Sequence, residues 1–114
     1  EVWAPSARVT SGSADGDGTG TIIMADTDAL TDIKANTLDG TVELSGKSLL
    51  VSVVDAGNEN VTLIASSDGI TDGNAGTNNI TGNLLTADAL SGIDLDTTMT
   101  SLDLTVSGTG DIDI

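Results

Sequence analysis

The sequence predicts an all-β protein built from short units that stack on one another. Three observations in the 114 residues support this: one segment repeats, strand-like runs recur at regular spacing, and the apolar residues are almost all aliphatic. Chains with short internal repeats usually bury the apolar side of each unit against its neighbours. We therefore expect a parallel β-helix, or β-solenoid, with about twenty residues per coil.

One segment of the sequence recurs sixty residues later. Residues 28–35 (DALTDIKA) return as residues 88–95 (DALSGIDL), and the alignment continues without a gap from residues 42–44 to residues 102–104. A spacing of about sixty residues corresponds to three coils of about twenty residues each.

Strand-like runs alternate polar and apolar residues, and clusters of Gly, Asp, Ser and Asn separate them. Their centres lie about nine to eleven residues apart, so that two strands with their turns would make one coil. A longer gap lies between the runs near residues 62 and 93, where we expect weaker strands or a loop excursion around 66–83. The runs are 21–24, 31–35, 41–44, 49–54, 60–64, 92–95, 101–106 and 111–114.

The composition of the core favours a β-helix over the alternative, a β-sandwich. Apolar residues make up 38% of the chain, and Trp3 is its one aromatic residue. A core of aliphatic residues suits regular packing in ladders, in which Ile33 would lie over an equivalent residue one coil away. A β-sandwich also has short strands at this spacing, but its strands usually bring aromatic residues and more varied loops.

The alternation within each run predicts which side chains face the core. Carboxylates on the outer side of neighbouring coils would then lie about 4.8 Å apart, and salt or bound cations would relieve their repulsion. Near the carboxyl end, the predicted inward residues are Ile93, Leu95, Leu102, Leu104, Val106, Ile112 and Ile114, and the predicted outward ones are Asp94, Asp96, Asp103, Thr105, Asp111 and Asp113.

Charge and length restrict the partners and the location of the chain. A net charge of −15 excludes nucleic acid and anionic membrane surfaces, whose recognition needs basic patches. No segment approaches the length of a transmembrane helix, no signal peptide is recognisable, and there is no cysteine. We expect an extracellular or cell-surface protein with residues 1–17 as an extension or linker and residues 18–114 as a solenoid segment.

Residues 60–70, 85–95 and 107–114 resemble the coils of filamentous-haemagglutinin-like secreted proteins. The resemblance covers residues 18–114 and rests on a periodic pattern. It implies a right-handed parallel β-helix and a bacterial surface adhesin, often exported through an outer-membrane partner. The family has no catalytic residues to carry over, and its amino-terminal secretion domain is not recognisable in this sequence.

One segment has the spacing of an EF-hand-type calcium loop. Asp15, Asp17, Thr19 and Asp26 occupy the positions of oxygen ligands, with glycine at the sixth position and isoleucine at the eighth. A hard cation prefers several oxygen ligands from one tight turn. The loop departs from the pattern because position twelve is Asp rather than Glu and no helix precedes it, so an ordinary glycine-rich turn is the alternative.

Other candidate residues concern assembly and modification. Trp3 would plug an exposed solenoid end or dock on a neighbouring subunit, with a partly covered surface residue as the alternative. The sequence ends inside a strand pattern, which makes Ile112 and Ile114 candidate assembly residues. Asn60 and Asn79 begin Asn-X-Thr sequons, which matter only where the glycosyltransferase is present.

These observations predict a structural or adhesive segment that assembles with itself, with adjacent repeats or into a fibre. Surface glycans are further candidate partners. A calcium- or glycan-binding extracellular module is the alternative function. Catalysis is not expected, because the chain has no His and no Cys, and no paired carboxylates lie in a basic or aromatic setting that would separate their pKa values.

Overall fold

A computed structural model describes residues 8–10, 13–19, 22–25, 28–38 and 40–114. This part of the chain contains strands and no helix. In chain order the strands are β1 (Arg8–Thr10), β2 (Ser13–Thr19), β3 (Ile22–Ala25), β4 (Leu30–Leu38), β5 (Val42–Gly46), β6 (Leu49–Asp55), β7 (Val61–Ala65), β8 (Ile70–Asp72), β9 (Ile80–Ala89), β10 (Ile93–Asp94), β11 (Thr97–Val106) and β12 (Ile112–Asp113).

The strands stack in parallel as a β-solenoid of about five coils, with equivalent positions roughly 19–20 residues apart on average. Within the described residues, every strand pair is parallel except β1 with β2. A β-sandwich is built from antiparallel sheets, so this pairing excludes that alternative. The predicted parallel β-solenoid is confirmed, and its right hand stays a prediction.

Each coil has three faces, whereas the sequence predicts a coil of two strands with their turns. β6 pairs with β8 through Leu49–Val51 and with β9 through Val54 and Asp55, so β6 bends around a corner. The first face holds β3, β5, β7, 84–89 and 101–106. The second holds Ala14, Leu30, Ile33, 49–51, β8, β10 and β12, and the third holds 15–19, 34–38, 54–55, 80–81 and 97–98.

Aliphatic ladders run through the coils and form the core. On the first face the ladder is Ile22, Val42, Val61, Leu85 and Leu102. Beside it run Met24, Leu44, Leu63, Ala87 and Leu104, and on the second face Leu30, Leu49, Ile70, Ile93 and Ile112. The predicted stacking of Ile33 is confirmed, because it pairs with Ala14 on one side and Val51 on the other.

On the first face, residues that align in the sixty-residue repeat also occupy equivalent positions in the solenoid, but on the second face they do not. Val42 reaches Leu102 in three steps of its ladder, which confirms that the repeat spans three coils. On the second face the ladder joins Leu30 to Ile93, whereas the sequence alignment matches Leu30 with the exposed Leu90. The segment that joins the second face to the following first face causes this difference, because it spans 12 positions from Leu30 to Val42 and 9 positions from Ile93 to Leu102.

Strand β9 has 10 residues and lies where the sequence predicts no strand-like run. Between residues 66 and 83 the sequence predicts weak strands or a loop, and the chain forms β8, a loop at 73–79 and the start of β9. Gly82 and Asn83 are poor strand residues, yet Gly82 pairs with Met99 of β11 and the N–H of Asn83 donates to the carbonyl of Glu59 at 2.8 Å. These contacts with neighbouring coils outweigh the weak local preference.

The first and last coils differ in how well they are covered. Ile22 and Met24 are each 1% exposed, whereas Leu102 is 44% exposed on the same face. At the amino-terminal side β1 pairs with β2 in the antiparallel direction, which does not continue the parallel stack. The predicted boundary between residues 17 and 18 falls within β2, and the division into extension and solenoid stays a prediction.

Candidate functional site

The candidate assembly surface, called the terminal edge below, consists of β11 and β12. Among the described residues β11 pairs only with β9, and β12 pairs only with β10. Each strand therefore presents an unpaired row of backbone groups on its other side. The unpaired part of β11 is long, since this strand has 10 residues.

Backbone donors of the ladder residues point from each coil towards the next. On the second face the N–H of Leu30 donates to Ser48, that of Leu49 to Gly69, that of Ile70 to Gly92 and that of Ile93 to Asp111, at 2.9 to 3.1 Å. The equivalent donor of the last coil is the N–H of Ile112. This N–H therefore faces outward at the terminal edge.

The terminal edge also exposes aliphatic side chains. Leu102 is 44% exposed, and Ile112 and Ile114 are each 45% exposed, whereas Leu104 and Val106 pack against the core and are partly buried. One coil earlier, Leu85 is fully buried and Ile93 is 2% exposed. Leu102 and Ile112 therefore keep the inward direction of their ladders, as predicted. They are exposed because the last coil has a neighbouring coil on one side only.

Carboxylates on the outer wall are stacked on the second face and separated on the first. Asp94 lies in register with Asp113, as the sequence predicts. Asp103 lies over Thr86, and Asp88 lies under Thr105, so hydroxyl side chains separate the charges on the first face. Like charges directly opposite each other destabilise a strand pair. Of the three register pairs just named, only Asp94 with Asp113 places one carboxylate opposite another.

A shallow depression of about 420 Å³ lies beside this stacked pair. Asp68, Asp94, Asp111 and Asp113 line it together with Ser91, and the Ser91 hydroxyl donates to Asp68 Oδ1 at 2.6 Å. No basic side chain lines it. Within the described residues no group of three potential metal-ligating side chains is arranged to hold a cation.

Asn79 is the most connected polar side chain, and sequence reasoning missed this role. It is fully buried at the corner that precedes β9. Its Nδ2 donates to the carbonyl of Val51 at 2.8 Å and to Asp72 Oδ1 at 2.9 Å, and its Oδ1 accepts the N–H of Asp96 at 2.8 Å. One side chain therefore ties together three successive coils.

The carboxylate of Asp72 is held by the loop that follows it. The N–H of Asn74 donates to it at 2.7 Å, and the Asn79 amide and the N–H groups of Gly76 and Ala75 also donate. These donors, with that of Asn74 first, lower the pKa of Asp72 below its ordinary value of 3.8, against the opposing effect of burial.

Asp72 gives the fold a specific sensitivity to acid. Because its pKa is lower in the folded state, its stabilising effect is present above the unfolded value of 3.8 and is lost as pH falls through the lower folded value. We expect Asp72→Asn to lower stability at neutral pH and to flatten the loss of stability below about pH 4. Urea unfolding at neutral and acidic pH measures both effects.

Glu59→Gln is the control for this prediction, because Glu59 is an exposed carboxylate in another loop. Both substitutions change the net charge equally. Equal stability profiles for the two variants would contradict the assigned role of Asp72.

The predicted calcium loop cannot be assembled from the described residues. The backbone of Asp15, Asp17 and Thr19 lies in β2, paired in parallel with β4, and Asp26 lies outside the described residues. The set therefore stays a prediction. Trp3 also lies outside the described residues, whereas Ile112 and Ile114 lie at the terminal edge.

Calcium binding by this loop would stabilise the fold. At calcium about 100-fold above the dissociation constant, we expect about 2.7 kcal/mol of stabilisation, seen as a rise in melting temperature. Asp15→Ala is expected to abolish the rise, and Asp103→Ala, outside the loop, to keep it. An unchanged melting temperature of the unaltered chain would contradict the calcium site.

The two sequons differ in accessibility. Asn60 is exposed, and its Oδ1 accepts from Asn83 Nδ2 at 3.2 Å and from the N–H of Leu84 at 3.3 Å. Asn79 is fully buried, and its Nδ2 is used in hydrogen bonds. A glycan on Asn79 is therefore incompatible with the folded corner, whereas the position of Asn60 is compatible with one.

Comparison with protein-family models, with curated proteins and with solved structures finds no significant match. In the described part of the chain, no helix is long and apolar enough to cross a lipid bilayer.

Proposed function

We propose that this chain is a structural or adhesive segment of an extracellular bacterial surface or filament protein. The stacked coils would act as a stiff rod, and the terminal edge would join the rod to a neighbouring segment or subunit. The observation that carries the proposal is the change along one ladder, because Leu85 is fully buried and Leu102 is 44% exposed.

Covering the terminal edge would be favourable. Full burial of a Leu or Ile side chain is worth about 1.5–3 kcal/mol, so covering three half-exposed residues gains on the order of 1 kcal/mol each. These residues are Leu102, Ile112 and Ile114. Pairing of the outward backbone donors, such as the Ile112 N–H, would add hydrogen bonds in the geometry of the other coils.

The composition supports a location outside the cell. A net charge of −15 gives a strongly hydrated outer wall and keeps long assemblies soluble. The periodic pattern that resembles filamentous-haemagglutinin-like proteins points in the same direction. If the segment is adhesive, surface glycans of host or neighbouring cells are the class of partner we propose.

Immunogold electron microscopy of intact source cells tests this function. We expect antibodies against residues 1–114 to label the cell surface or extracellular filaments. Cells that lack the gene provide the control. Labelling that appears only after the cells are permeabilised would contradict the proposal.

A further inference from the structure

We infer that the terminal edge binds an extended strand that alternates aliphatic and basic residues, with a Lys or Arg in register with Asp113. This inference rests on the proposed function and names the chemistry of the segment that covers the edge. It follows from the backbone groups, the exposed ladder residues and the charges of β11 and β12.

The partner is a strand because the edge offers ladder geometry. Four successive coils place the N–H of a ladder residue on a carbonyl of the next coil, and the N–H of Ile112 continues this series outward. An extended chain satisfies such a row of backbone groups by adding one more parallel strand. Its inward positions would be aliphatic, since they would lie over Leu102, Leu104 and Ile112.

The charge of the edge selects a basic partner. On the second face Asp113 lies over Asp94, and Asp111 lies in the same depression. Another carboxylate in the next position would extend a stack of like charges, whereas a basic residue there would form a favourable cross-strand pair. Charge complementarity therefore places Lys or Arg opposite Asp113 and permits Lys, Arg or Thr opposite Asp103.

A second copy of this chain does not provide such a strand. The three bases are Arg8, Lys34 and Lys47, and residues 48–114 contain none. Two terminal edges meeting each other would bring carboxylates such as Asp113 together with no basic residue opposite them. At the opposite end of a copy the ladder residues Ile22 and Met24 are buried, so these two side chains are not exposed to a terminal edge.

A pair of synthetic seven-residue peptides tests this inference. One peptide alternates Val with Lys and the other alternates Val with Glu, and isothermal titration calorimetry measures their binding to residues 1–114. We expect the Val–Lys peptide to bind. Asp113→Lys should weaken it by about tenfold and should strengthen binding of the Val–Glu peptide.

Glu43→Lys is the matched control, since it reverses one exposed charge on the outer wall of β5, away from the terminal edge. Equal weakening by Asp113→Lys and Glu43→Lys would show nonspecific attraction to an acidic protein and overturn the inference. Dimerisation of residues 1–114 that Leu102→Lys abolishes and Ile64→Lys preserves would also overturn it, because the occupant would be a second copy. Surface labelling of cells is independent of both results, so failure here is distinguishable from failure of the proposed function.

Discussion

Leu63→Ala is expected to lower the free energy of unfolding by about 2–5 kcal/mol. Leu63 is fully buried in the middle of a ladder, with Leu44 in register on one side and Ala87 on the other. Because both neighbours are held by parallel strands, the coils cannot close the cavity that the missing side chain leaves. Urea denaturation followed by circular dichroism measures the loss.

Ile64→Ala is the matched control for Leu63, because Ile64 is the next residue of β7 and is 43% exposed on the outer wall. It removes a side chain of similar size from the same strand. We expect a loss of less than about 1 kcal/mol. If the two variants were equally stable, the assignment of inner and outer faces would be wrong.

Asn79→Ala is expected to cost about 2–4 kcal/mol. The substitution leaves the N–H of Asp96 without its partner and removes one donor from Asp72. It also removes one of the two donors to the carbonyl of Val51, which keeps the N–H of Gly73 at 2.8 Å. Buried groups that lose a hydrogen-bond partner keep the full cost of desolvation. The loss should appear as a lower urea midpoint and as faster amide exchange in the loop at 73–79.

Asn83→Ala provides the comparison, since Asn83 is exposed and its Nδ2 donates to Asn60 Oδ1 at 3.2 Å on the surface. We expect it to change stability by less than about 0.5 kcal/mol. A loss for Asn83→Ala as large as that for Asn79→Ala would show that burial does not set the cost.

The regular part of this fold could be predicted from the sequence. The alternation of Ile93, Asp94, Leu95 and Asp96 predicts their directions, because a strand turns successive side chains to opposite faces. As expected, Ile93 and Leu95 are buried, and Asp94 and Asp96 are exposed. The three-coil distance from Val42 to Leu102 could also be predicted, since stacked coils repeat their apolar positions.

The lengths of the connections between faces could not be predicted from the sequence. The alignment of Leu30 with Leu90 fails for this reason, since 12 positions separate Leu30 from Val42 and 9 separate Ile93 from Leu102. The three-faced coil was missed for a related reason. β6 bends between Val51 and Val54 without Gly or Pro, so no local signal marks the corner.

The polar network was also beyond prediction from the sequence. The segment from Asp72 to Asn79 is rich in Gly and Asn and is typical of an exposed loop. Only the stacking of three coils shows that Asn79 has a carbonyl on one side and an N–H on the other. Terminal-edge residues Ile112 and Ile114 were predicted from the strand pattern, and their assembly role stays a prediction.

Amide hydrogen exchange of residues 1–114, with and without the Val–Lys peptide, tests the central claim most directly. In the free chain we expect slow exchange at Val42 and Ile93, whose N–H groups are bonded to the next coil, and fast exchange at Leu102 and Ile112. The peptide should slow exchange at Leu102 and Ile112 and leave that of Ile64, on the outer wall, unchanged. Slow exchange at Leu102 and Ile112 in the free chain, or no change when peptide is added, would contradict an open terminal edge that takes one further strand.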